Sequence, residues 1–293
     1  MNWWKGLKGK ISFEEPLKKY SIFRAGGPAR FFIEPKDAGD LKALLSLLKK
    51  YKVSFLILGN GSNVLASDKG LRAAVLRLSS PYFKKISVKS DCLEAGAGAL
   101  LNQIVASAQK RSLSGAEFLA GIPGTLGGAL SMNAGAWGRS IADLVKSVKV
   151  MGADTKIKIF KKKDIKFLYR RSSLAKYIIL SGRLKLAKGD KKVIAAAIKK
   201  HLKDRACLQD FSRPSLGCTF KNPAKHSAGQ LIDLCGLKGR RIGDAGISTK
   251  HANFILNLKN ANSDDYLKLM ELIKDKVKGK FNITLKPEIK IWR

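Results

Sequence analysis

The sequence predicts an α+β protein of two regions, with a boundary near residue 190. Three features carry that expectation. Some stretches place apolar residues at helical spacing, and others carry them in short continuous or alternating runs. Both kinds occur before and after residue 190, and the texture turns loop-rich over residues 210–226. A length of 293 residues allows two cores, and a 45% hydrophobic share excludes a disordered chain.

In chain order, residues 38–51 set Leu41, Leu44, Leu45, Leu48 and Tyr51 on one helical face behind an Asp37 cap. Residues 53–58 form a short apolar run ending at Gly59 and read as a buried strand. A second strand is expected over 71–78, then a helix over 98–110 through Leu101, Ile104, Val105 and Ala108. Alternation marks 145–151 as a strand, and 178–186 reads as another. A helix over 190–205 would carry Val193, Ala197 and Leu202 on one face. Ser227 and Gln230 fit a capping box ahead of Leu231 and Leu234. Ser263 precedes a long helix through Leu267, Met270, Ile273 and Val277. A last strand sets Ile283, Leu285, Ile289 and Ile291 on one face, with Glu288 on the other beside Thr284, Lys286 and Lys290.

Fifty-seven basic residues against 22 acidic ones give a net charge of +35. That charge fits a lure for polyanions, and it fits equally a lysine-rich set of solvated faces. No arginine–aromatic module or zinc-finger spacing accompanies the lysines, so no specific nucleic-acid partner is expected. Cys92, Cys207, Cys218 and Cys235 form no C-x-x-C pair, which points away from a metal cluster and towards a reducing compartment. The first residues lack the apolar core of a signal peptide. Residues 118–138 are uncharged, yet their glycines, Pro123 and Asn133 make a poor helix, so no membrane span is expected. A cytoplasmic protein follows from these readings.

Two glycine-rich loops stand out. Gly59-Asn60-Gly61-Ser62-Asn63 follows an apolar strand, the context in which backbone N–H groups meet a phosphate. Val64 stands where a dinucleotide fingerprint would have its third glycine, so that fingerprint is absent. A pyrophosphate nest and a tight structural turn both fit this loop. Gly121-Ile122-Pro123-Gly124-Thr125-Leu126-Gly127-Gly128-Ala129 is followed by Met132-Asn133-Ala134-Gly135. Such glycines cost chain entropy and add no packing, which a flat group lying against the backbone would explain. Close packing of two elements is the other explanation.

At these loops the chain resembles the UDP-N-acetylenolpyruvoylglucosamine reductase family. The likeness begins with Phe23-Arg24-Ala25-Gly26-Gly27-Pro28-Ala29 and continues through both glycine loops to Ala136-Trp137-Gly138. Tyr169-Arg170-Arg171-Ser172 comes next, and then Pro214-Ser215-Leu216-Gly217-Cys218-Thr219-Phe220-Lys221-Asn222-Pro223. The region 228–239, Lys250-His251-Ala252-Asn253-Phe254 and Leu285-Lys286-Pro287-Glu288 complete an ordered series along nearly the whole chain. The resemblance implies a two-lobed FAD-binding region of the vanillyl-alcohol-oxidase (PCMH) type over 1–190, its lobes dividing near 79. A C-terminal α+β substrate domain would fill 191–293. The chain looks like the shorter branch of the family, without the extra insertions.

The resemblance also implies the chemistry. Non-covalent FAD would lie between the loops, held by Gly59, Asn60, Gly61, Ser62, Asn63, Gly121, Ile122, Pro123, Gly124, Thr125, Gly127, Gly128, Ala129, Asn133 and Gly135. NADPH would reduce it, and flavin N5 would pass the hydride to C3 of UDP-N-acetylglucosamine enolpyruvate, giving UDP-N-acetylmuramate for peptidoglycan. Arg170 would grip the substrate carboxylate, Glu288 would support the enolate, and Cys218 would protonate C2. The family usually has serine at the position of Cys218, and a thiol is intrinsically the stronger acid. Tyr169, Lys221, Asn222 and Lys250 would orient the substrate or its diphosphate. The implied protein is a monomer. Two rivals stay open: a flavin oxidase or dehydrogenase of the same FAD fold, and a basic nucleic-acid-binding relative without catalysis.

Overall fold

Alternation over Val145–Met151 sends Val148 and Val150 into the interior, and this strand anchors a five-stranded antiparallel sheet. Its order is Ile157–Lys161, Val145–Met151, Ile178–Lys185, Cys92–Gly96 and Ile86–Lys89. Helix Leu126–Met132 crosses close to the third of these strands at Gly182. A Cβ there would stand 3.0 Å from the Leu130 side chain, so the glycine eases the close approach of the helix. Leu93, Ala95, Leu101, Ile104 and Leu184 belong to the same core. Asp37 caps helix Ala38–Lys50 as expected, its carboxylate accepting from the Asp40 amide.

The computed structural model describes residues 3–293 and divides into two units. The first holds the chain up to Ser12 with residues 31–60 and 73–204. The second holds 13–30, 61–72 and 205–293. The division thus falls at 204/205, inside helix Lys191–Leu208, where the sequence led us to expect residue 190. Position 79 lies within the first unit, between strand Leu71–Arg77 of a four-stranded sheet and strand Ile86–Lys89 of the five-stranded one. The physical reason is long-range pairing. Strand Val64–Ala66 lies parallel to Lys290–Trp292, with Leu65 opposite Ile291, and Phe23, Ala25 and Leu65 share a core with Leu285 and Ile289.

The second unit is built on a four-stranded antiparallel sheet, in the order Ser215–Cys218, Phe254–Asn257, Ala245–Ile247 and Arg241–Ile242. Helices Ala228–Leu234 and Ser263–Phe281 supply Leu231, Ile232, Tyr266, Leu269, Ile273 and Val277 to its core. Ser227 caps the first of them by accepting from the Gln230 amide. The second is capped by Asn262, one residue before the serine that was expected to stand ahead of it. Ser263 is buried inside the helix, and its hydroxyl accepts from the Asp68 amide.

Three other expectations change. Phe55–Leu58 is a strand, but it is the edge of its sheet, pairing in parallel with Leu71–Arg77, and it leaves Phe55 and Ile57 exposed. An apolar run specifies a strand without specifying a neighbour on both sides. Helix Lys191–Leu208 exposes Val193 and Leu202, and turns Ile194, Ile198, His201 and Arg205 inward. Two of those four are polar, so an apolar stripe could not reveal the face. The C-terminal segment forms a regular strand only at Lys290–Trp292, with a single bridge upstream between Pro287 and Phe220. No helix among the described residues is long and apolar enough to cross a membrane.

Candidate functional site

The second glycine loop lies in the first unit and leads into helix Leu126–Met132. Thr125 caps that helix, its hydroxyl accepting from the Gly128 amide at 3.3 Å. The next amides are also engaged: Leu126 donates to the Ala99 carbonyl and Gly127 to that of Ala97, both at 2.8 Å. The start of the helix is therefore closed by the protein's own groups, and its first amides are not what the loop offers a ligand. What it offers is bare backbone. A Cβ on Gly124 would meet only Leu101 at 3.9 Å, and one on Gly128 only Thr125 at 3.5 Å. Neither glycine is demanded by internal packing, and both leave room for a flat group to approach the chain. Gly127 differs, because it backs onto the Ala97 side chain. The loop therefore fits a group of the flavin kind.

The first loop adjoins the second at one point. A Cβ on Gly59 would stand 3.0 Å from the Thr125 hydroxyl. Gly61 has a structural duty: with φ at +65°, any side chain there would strike the Tyr20 carbonyl. Its own carbonyl accepts from the Ile22 amide. The tight-turn reading of this loop thus holds at Gly61. Asn63 was expected to reach a pyrophosphate, but its side-chain amide donates to the Glu288 carbonyl at 3.2 Å. Its backbone carbonyl accepts from Lys290.

Arg170 sits at the tip of a hairpin whose arms pair Phe167 with Ser172 and Leu168 with Arg171. Its φ of +55° is an uncommon conformation for a non-glycine residue, the kind of backbone cost found at functional turns. The guanidinium donates to the Gly135 carbonyl at 3.3 Å and lies over the Tyr169 ring at 5.3 Å. Asn133, the left-handed cap of helix Leu126–Met132, adds a second tie by donating to the Leu168 carbonyl. The arginine turn and the downstream end of the glycine loop are knitted together within one unit. Tyr169 is itself exposed.

Cys218 and Glu288 belong to the second unit, where Thr219 brings their segments side by side. The Thr219 carbonyl accepts from the Glu288 amide at 2.8 Å, and two residues on Lys221 donates to the Lys286 carbonyl at 2.9 Å. Both Cys218 and Glu288 are half-buried. Asn253 holds the same segment from its other side. Its backbone carbonyl takes the Thr219 amide, and its side chain bonds both the amide and the carbonyl of Phe220. The remaining candidates are more dispersed. Asn222 is exposed and accepts from the Ala228 amide, starting helix Ala228–Leu234, while the Lys250 ammonium is bound by the Ala206 carbonyl. His251 packs its ring against Phe254 and accepts from the Asn253 amide, and burial holds its pKa below the usual histidine value.

Sequence reasoning singled out neither Thr219, Asn253 nor Tyr266 as a site residue. Asn253 sits inside a recognised motif, but its value lies in a bidentate backbone bond that no spacing announces.

A model of the UDP-N-acetylenolpyruvoylglucosamine reductase C-terminal domain matches residues 209–292, and one of an FAD binding domain matches residues 29–161. The UDP-N-acetylenolpyruvoylglucosamine reductase of Caldanaerobacter subterraneus subsp. tengcongensis is 41% identical over 286 residues, covering 97% of this chain and 94% of that protein. The crystal structure of the corresponding reductase from Thermus caldophilus superposes with a TM-score of 0.84 at 35% identity, covering 98% of this chain and 100% of that one. A solvent-stable cholesterol oxidase shares the fold at a TM-score of 0.50 and 17% identity, over 62% of this chain and 38% of its own.

Proposed function

The chain belongs to the UDP-N-acetylenolpyruvoylglucosamine reductase family, and we propose that it reduces UDP-N-acetylglucosamine enolpyruvate to UDP-N-acetylmuramate with NADPH, as a cytoplasmic monomer serving peptidoglycan precursor synthesis. The observation that carries the reading is the joining of the Cys218 and Glu288 segments through Thr219, in a chain whose relatives match it from end to end. Region 1–190 is assigned to the cofactor and region 191–293 to the substrate, although residues 13–30 and 61–72 group with 205–293, and residues 191–204 group with the first unit.

Non-covalent FAD, when bound, supplies the hydride-transfer chemistry. Gly124 and Gly128 present backbone without side chains for it to lie against, and Gly59 adjoins them at Thr125. Arg170 supplies a fixed guanidinium for the substrate carboxylate, its orientation set by the Gly135 carbonyl and the Tyr169 ring. Arg170 is the candidate for the charge that spreads from C2 into the carboxylate, and Glu288 the candidate for supporting the enolate. Cys218 gives its thiol proton to C2, the S–H bond breaking as the C–H bond forms, and the thiolate regains a proton from water. Lys221 and Tyr169 orient the rest of the substrate.

The test is spectroscopic. The purified holoprotein under anaerobic conditions should lose its flavin absorbance on adding NADPH and regain it on adding the enolpyruvyl nucleotide. Bleaching with no recovery would refute the substrate assignment, and recovery driven by oxygen alone would mark an oxidase.

A further inference from the structure

We infer that Tyr266, acting through Thr219, is a positioning residue that fixes the Cys218 thiol beside the Glu288 segment; the inference rests on the proposed donor role of Cys218. The backbone just upstream of Cys218 is irregular. Strand Ser215–Cys218 loses its register with Phe254–Asn257 between Ser215 and Cys218. Gly217 has φ at +74° and no atom within 4 Å of where a Cβ would be. Beside its pairing opposite Phe254, Cys218 is placed by its downstream neighbour. Thr219 is fully buried and held three ways: its amide by the Asn253 carbonyl, its carbonyl by the Glu288 amide, and its hydroxyl by the Tyr266 phenol at 2.9 Å.

The first two bonds fix a backbone line, and the third fixes rotation about it. Tyr266 is suited to that duty because it cannot move. It is completely buried one turn into helix Ser263–Phe281. Phe23 meets its ring edge to face at 4.9 Å, and the Phe23 carbonyl is itself bound by the Asn257 side chain. A buried phenol without a partner is costly, whereas a phenylalanine would fill the same volume with no such need. The hydroxyl is thus explained by what it holds. Burial pushes the phenol's pKa far up, the Thr219 bond opposes that shift, and a charge on Cys218 would add to it, so Tyr266 stays neutral beside the thiol.

Stopped-flow kinetics on the flavin-loaded enzyme tests this, reading NADPH-driven bleaching and substrate-driven recovery separately. Thr219→Val and Tyr266→Phe should each slow recovery about tenfold, in line with the sensitivity of proton transfer to small misplacement, and leave bleaching unchanged. The double variant should be no slower than either single, since both remove one bond. Thr219→Ser, which keeps the hydroxyl, should restore recovery. Thermal melts of every variant identify any that fail to fold, and Tyr266→Phe with Thr219→Ser still decide the matter if Thr219→Val does not fold. Normal recovery in Tyr266→Phe, equal slowing of both half-reactions, or failure of Thr219→Ser to restore the rate would overturn the inference. Cys218→Ala separates the two levels. Normal recovery in that variant removes the donor role and this inference together. Slow recovery in Cys218→Ala beside normal recovery in Tyr266→Phe overturns the positioning role alone.

Discussion

The Asn63 side-chain amide donates to the Glu288 carbonyl at 3.2 Å, so the residue closing the first glycine loop also fixes the backbone of a proposed catalytic carboxyl. The neighbouring Lys290 amide donates to the Asn63 carbonyl, and the short parallel strand pair continues from there. Removing the side chain by Asn63→Ala should cost about 1 kcal/mol of stability, the usual net worth of one hydrogen bond. It should also slow flavin recovery by substrate. Chemical denaturation and half-reaction kinetics would measure the two effects. An unchanged recovery rate would mean that the Glu288 backbone is held well enough by Thr219 alone.

Cys218 gives the sharpest test of chemistry. Cys218→Ala should slow recovery of the flavin by substrate by about a hundredfold or more, the usual contribution of a positioned acid, and leave bleaching by NADPH intact. Cys218→Ser should keep much of the activity. Equal loss in both half-reactions would assign the cysteine to folding or to flavin binding.

Gly128 and Gly61 should respond to alanine in different ways. Gly128 lies in helix Leu126–Met132 with open space beside it, so Gly128→Ala should stabilise the flavin-free protein by about 0.5–1 kcal/mol. The same methyl should weaken flavin binding. Gly61→Ala places its Cβ against the Tyr20 carbonyl at a left-handed φ, so it should destabilise the protein whether or not flavin is present. Calorimetry of both forms, with flavin titration, separates the cases. A Gly128→Ala variant that binds flavin normally would remove that residue from the site.

Burial lowers the pKa of His251 below its unfolded value of 6.5, so the folded protein keeps this ring neutral while the unfolded chain takes up a proton. The sign follows from linkage: stability falls as pH drops below 6.5 and stops falling once the folded-state pKa has been passed. His251→Gln should therefore show a flatter dependence of unfolding free energy on pH just below 6.5 than the parent. Equal slopes would mean that the ring meets water freely.

The candidate site could be read from the chain only in part. Gly124 and Gly128 betray themselves as residues without side chains in a place that needs none for packing, and Arg170, Cys218 and Glu288 stand in motifs of fixed order. Thr219, Asn253 and Tyr266 gave no such signal. Each acts through bonds to residues remote in sequence, and a buried threonine or tyrosine is ordinary in composition. The tie from Asn63 to Glu288 was hidden for the same reason, since an amide after a glycine turn suits a ligand and a distant carbonyl equally well.

What the sequence determined by itself was local: the Asp37 and Ser227 caps, the alternation of Val145–Met151, the glycine turns and the types of the main elements. These depend on groups within a few residues of one another, where periodicity and side-chain chemistry are directly encoded. The tertiary structure decided which segments became neighbours. It drew residues 13–30 and 61–72 into the C-terminal unit, turned His201 and Arg205 inward, left Phe55 and Ile57 on an edge, and set Thr219 between Cys218 and Glu288. Those outcomes follow from burying shared surface and pairing backbone groups across long loops, which depends on the whole chain's packing and not on any one window of it.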